Sequence, residues 1–135
     1  MERIGSYAYK ATTSLGFEDA IEKVTALLAE AGFGILTEID VARTMKKKLN
    51  VEFKPYRILG ACNPPLAHTA LAAESLVGVL LPCNFVVIDE GESRTVAAMN
   101  PDVISTMINN EEMIKIASEV GEHIRNVMEQ VDALN

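Results

Sequence analysis

Two short stretches pair a thiol with proline and asparagine. Residues 62–64 read Cys62-Asn63-Pro64, and residues 82–84 read Pro82-Cys83-Asn84. Thiolates bind soft metals such as zinc or copper and carry redox chemistry, and an imidazole often completes such a set. His68 follows Cys62 by six residues, so Cys62, Cys83 and His68 form a candidate metal set, and Cys62, Asn63, Cys83 and Asn84 a candidate binding region. A separation of twenty-one residues between the cysteines fits no compact zinc-finger spacing. Cys-Cys-His is also one ligand short of a closed structural site. Free cysteines equally serve as small core hydrophobes, and that alternative stands beside the metal site.

A second cluster is basic. Half of all lysines and arginines lie within residues 41–57: Arg43, Lys46, Lys47, Lys48, Lys54 and Arg57. That segment carries +5, whereas the chain as a whole carries −7. The cluster suits either a small anionic substrate, which would make the protein an enzyme, or a solvated helix face. No motif decides for catalysis. The chain has no G-x-S-x-G, no H-E-x-x-H, no Walker loop and no G-x-G-x-x-G. Glu90 and Glu92 flank a turn, where carboxylates face solvent.

Net charge and composition exclude other classes. A −7 field repels phosphate backbones, and 5% aromatics without tryptophan cannot build a stacking platform for single strands, so no nucleic acid is expected. The apolar run from Leu66 to Ile88 is interrupted by Glu74, Gly78 and Pro82, which argues against a membrane span. The N-terminus has no apolar signal-peptide core, so a reducing, cytoplasmic setting with free thiols is expected.

The elements that must position these residues follow from periodicity. Ile4–Thr13 alternates as a strand, and Phe17, Ala20, Ile21, Val24, Leu27, Leu28 and Ala31 make one face of a helix that stops at Gly32. A second strand runs from Phe33 to Ile39, and Asp40 caps a short helix bearing the lysines. Lys54–Cys62 is a third strand, with Tyr56, Ile58, Gly60 and Cys62 on one face and Arg57, Leu59 and Ala61 on the other. The two prolines after Asn63 start a helix over Leu66–Glu74. Cys83–Asp89 and Arg94–Met99 form a hairpin, and Asn110 caps a long helix with its seam at Met113, Ala117, Val120, Ile124, Val127, Val131 and Leu134.

The order is β-α-β-α-β-α-β-β-α, about five strands in one α+β domain over residues 1–135. Two layers result, with the long helices on one face of an antiparallel or mixed sheet. The expected core places Phe33, Ile35, Ile58, Val87 and Val96 against Phe17, Ile21, Val24, Leu28, Val120, Ile124 and Val127. A long apolar helix seam and several β-rich runs favour a homodimer.

One resemblance adds to this reading. Tyr56-Arg57-Ile58-Leu59-Gly60-Ala61-Cys62-Asn63-Pro64-Pro65-Leu66-Ala67, followed by Gly78-Val79-Leu80-Leu81-Pro82-Cys83-Asn84-Phe85-Val86-Val87, resembles domain-of-unknown-function family 302. The blocks Phe17–Ala20 and Ala31–Asp40 agree with it. The resemblance implies a fold similar to the TATA-box-binding-protein-like class, with a curved antiparallel sheet and helices on one side, in small cytoplasmic proteins that pair into dimers. It implies no catalytic residue, and fold alone does not imply DNA binding. The expectation is therefore a dimeric, non-catalytic binding or carrier module for a small ligand or soft metal near Cys62 and Cys83. An enzyme using the basic 43–57 segment is the alternative.

Overall fold

The computed structural model describes residues 1–134. Six strands form one curled antiparallel sheet in the order β1-β2-β6-β5-β4-β3. These are β1 (Glu2–Ile4), β2 (Ala8–Thr13), β3 (Gly34–Asp40), β4 (Tyr56–Cys62), β5 (Cys83–Asp89) and β6 (Arg94–Met99). The α+β class with helices on the sheet is as expected. The extra strand arises because the predicted first strand splits in two. Gly5 adopts a left-handed φ of +52°, which lets residues 5–7 turn the chain so that β1 folds back on β2.

Helices α1 (Phe17–Glu30) and α5 (Glu111–Asp132) pack on one face of the sheet. Ile21, Val24, Leu27 and Leu28 from α1 meet Ile124, Val127, Met128 and Val131 from α5 over Phe85, Val87, Val96 and Ala98. The helical stripes read from the sequence are thus the buried ones. The strand face of β4 differs from the expected core. Leu59 and Ala61 point inward, while Ile58 lies half-buried on the opposite face. Both faces of β4 are apolar in sequence, so alternation alone could not choose. The pairing of Leu59 with Phe85 and of Ala61 with Cys83 decides it.

The remaining helices are α2 (Val41–Leu49), α3 (Pro64–Ala73), a 3₁₀ segment η1 (Ser75–Leu80) and α4 (Asp102–Met107). Asp40, Asn63 and Asn110 cap α2, α3 and α5 through their side-chain oxygens. The Asn110 amide also donates to the Ala73 carbonyl at 3.3 Å, tying the start of α5 to the end of α3. A second core cluster gathers under these shorter helices: Ala70, Val77, Ile104, Met113, Ile116 and Ala117. No helix among the described residues is long and apolar enough to cross a membrane.

Gly60 is fixed by close approach. A Cβ there would press into Thr37 Oγ1 and stand 2.7 Å from Pro82 Cγ. The proline ring cannot swing aside as a flexible side chain would, so β3 or the turn before β5 must move. Gly60→Ala is expected to cost about 1–3 kcal/mol, read as a lower midpoint in chemical denaturation. An unchanged midpoint would show that this contact relaxes freely.

Candidate functional site

The two core clusters do not merge. Between them lies a cavity of about 280 Å³, walled by the ends of β4 and β5, by α3 and η1, and by α4 and the first half of α5. Local sequence explains its walls. The chain leaves β4 at Cys62, Asn63 accepts the Leu66 N–H at 3.2 Å, and the adjacent prolines start α3 across the sheet end. Alanines 67 and 70 keep the inner side of α3 thin. The chain returns through η1 and a cis Leu81–Pro82 bond into β5 at Cys83. Leu66, Val77, Ile104, Met113 and Ile116 make the lining mostly hydrocarbon. Pockets of this size at the lower end of the usual ligand range hold a small, mainly apolar molecule with few polar contacts.

Three of the four expected binding residues meet at this cavity: Cys62, Asn63 and Cys83. Asn84 does not. It follows Cys83 on a strand, where neighbours alternate faces, and it lies exposed opposite Gly60. The thiols belong to adjacent strands, since Cys83 pairs with Ala61, the residue before Cys62. Both are free.

The expected metal set of Cys62, Cys83 and His68 does not assemble. Among the described residues no three His, Cys, Asp or Glu side chains group closely enough to hold an ion. His68 lies exposed on α3, while Cys83 is buried in the core. Its place early in α3 turns it to solvent, away from the wall that Ala67 and Ala70 supply.

Cys83 also lacks the lowered pKa of a reactive thiol. Burial pushes it from 9.0 up to about 11, and the nearby Cys62 thiol adds to the rise. The neutral thiol is therefore the form at physiological pH. An unfolded Cys83 would ionise near its ordinary value, so the stability from keeping it neutral is full below pH 9. It is lost progressively as pH rises to about 11. The loss is on the order of 2–3 kcal/mol. Chemical denaturation of wild type and Cys83→Ala at pH 8 and pH 11 checks this: the gap between them should narrow at the higher pH. A constant gap would contradict it.

Half of the six bases in the basic segment, Lys46, Lys54 and Arg57, are engaged by acids. Arg57 donates to Glu38 at 2.6 Å and to Glu18 at 3.0 Å, and its guanidinium lies 5.5 Å from the Phe17 ring centroid. Those carboxylates raise its pKa against the opposing effect of burial, the largest single influence. Lys54 pairs with Glu90, and Lys46 with Glu52. None of these residues lines the cavity.

The fold and site define a class: a two-layer α+β domain with an apolar cavity where its helical cap meets the sheet end. The chain belongs to the DUF302 family, a domain of unknown function, whose model matches residues 9–131. Its structure is similar to the crystal structure of an uncharacterized conserved DUF302 protein from Bacillus stearothermophilus. The two chains are 27% identical with a TM-score of 0.86, over 94% of this chain and 99% of the other. No curated protein matches this chain significantly.

Sequence reasoning missed most of the cavity. Met113 reads only as a seam position of the last helix, Ile104 and Ile116 carry no signal of their own, and only the Cys-Asn-Pro and Pro-Cys-Asn stretches point to the right end of the sheet.

Proposed function

We propose that the protein is a non-catalytic, homodimeric binding module that takes a small, largely apolar molecule into the cavity beside Cys62 and Cys83. The observation that carries this reading is the cavity itself, open to solvent and walled mainly by hydrocarbon between two otherwise packed clusters. Packed interiors seldom leave voids of this size, and an apolar one favours an apolar guest over water. Asn63 and the Cys62 thiol supply the few polar groups at its wall. A carrier of a soft metal on the two thiols is the second reading, supported by their place on adjacent strands. The raised pKa of Cys83 weighs against it, because metal ligation requires the thiolate. An enzyme acting on an anion at residues 43–57 has less support, since Arg57 and Lys54 are engaged by acids.

A thermal-shift series separates the readings. Zinc, copper(I), phosphorylated metabolites and neutral apolar compounds would be added to the intact protein. Ligand binding to the native state raises the melting temperature by mass action. A concentration-dependent rise with neutral apolar compounds is expected. A rise with metals alone would establish the thiol-metal reading, and one with phosphates alone the anion reading.

A further inference from the structure

Two exposed apolar features lie at opposite ends of the strands, and their charges are opposite. The first is the arm from α2 to the start of β4. No residue of α2 is buried, Leu49 is 66% exposed, and Val51 and Phe53 are exposed beside it. Phe53 lies tilted beside Tyr56, with ring centroids 6.3 Å apart. Arg43, Lys47 and Lys48 form no ion pair among the described residues, whereas Lys46 and Lys54 do. The second feature is the patch made by η1 and the α4–α5 connection. Leu76 is 76% and Val79 84% exposed there, with Met107 beside them over a shallow depression. Glu74 lines the depression, and Glu111 and Glu112 follow its last lining residue, Asn109, by two and three positions.

Apolar side chains this exposed, grouped and rimmed by charge mark interaction surfaces rather than scattered surface residues. The arm precedes β4 and the patch is reached from its far end. A strand of seven residues spans about 20 Å, which keeps the two apart within one chain.

We infer that the arm and the patch are the two halves of one interface between two copies of this chain. The basic, apolar arm of one copy covers the acidic, apolar patch of the other. This rests on the dimeric part of the reading above and names its surface. Charge complementarity selects a second copy as the occupant: the patch needs a basic amphipathic partner, and each chain carries one that nothing covers. A two-fold pair with antiparallel strands makes the contact twice and closes, whereas a head-to-tail repeat would build an open chain. The arrangement also bears on the cavity. Leu71 is exposed next to the patch and lines the cavity, so the partner's arm would close the outer side of that wall.

Sedimentation velocity at micromolar concentration tests the inference. Wild type is expected at twice the chain mass of 14.7 kDa. R43E/K47E/K48E takes the 41–57 segment from +5 to −1, so both halves become acidic, and E111K/E112K makes both basic. Each variant alone should therefore weaken association by at least roughly tenfold while keeping the wild-type far-UV spectrum. Mixed one to one, the two variants should return the two-chain species, because an acidic arm then meets a basic patch and a basic arm an acidic one. Should E111K/E112K lose its fold, Glu74→Lys, at a helix C-terminus where a base is favoured, neutralises the patch and should weaken association on its own. A monomeric wild type would overturn the dimer and its surface together. A dimer indifferent to both variants would overturn the surface alone, as would a mixture that stays monomeric.

Discussion

Val24→Asp and Ile124→Asp are each expected to leave the chain without a cooperative thermal transition. Val24 is 1% exposed and Ile124 fully buried, on α1 and α5 where both helices close over the sheet. Both positions sit within a cluster of buried hydrophobic side chains, so a new carboxylate is set among hydrocarbon. An unpaired carboxylate there must stay ionised at a cost of several kcal/mol, or take up a proton and remain unsatisfied. Lost apolar burial adds about 2–3 kcal/mol. Against a total stability of about 5–15 kcal/mol for a domain of this size, the sum exceeds what the fold can absorb. Circular dichroism during heating checks it. A sigmoidal melt within a few degrees of wild type would show that the helix faces are assigned wrongly.

Ala67→Phe is expected to abolish ligand binding while leaving the fold intact. Ala67 is half-buried on α3 and lines the cavity, so a phenyl ring grown from it enters space that the chain does not fill. Filling an apolar void costs little and often stabilises, so the melting temperature should hold or rise. The guest loses the volume and contacts that bind it, and affinity for any apolar compound that shifts wild type should fall at least roughly tenfold. Isothermal titration on both proteins measures the change. Unchanged affinity would place the ligand elsewhere.

The parts of the fold that the sequence made legible are those governed by local periodicity. The α1 stripe through Ile21, Val24 and Leu28, the β5–β6 hairpin and the caps at Asp40 and Asn110 follow from spacing within one segment. Ile58 reads as core because β4 is apolar on both faces, and only its pairing with β5 turns Leu59 inward. The turn at Gly5 carries a Gly-Ser signal that a strand reading from Ile4 to Thr13 passes over. The same limit applies to the site. Cys62 and Cys83 announced themselves through neighbouring prolines, yet their exposure, the raised pKa of Cys83 and the lack of a third ligand among the described residues depend on packing from elements far along the chain. A cavity is the space that several segments fail to fill, and no single segment encodes it.

The central claim is that this cavity takes a small apolar molecule, and methyl-resolved NMR during a titration tests it most directly. The probe is a neutral apolar compound chosen from those that raise the melting temperature. The account predicts saturating shifts for the methyl groups of Ile104, Met113 and Ile116, which line the cavity. Ile21 and Ile124, in the other cluster, should stay in place. Saturating shifts confined to Ile21 and Ile124, or no saturable shift at Ile104, Met113 and Ile116, would contradict it.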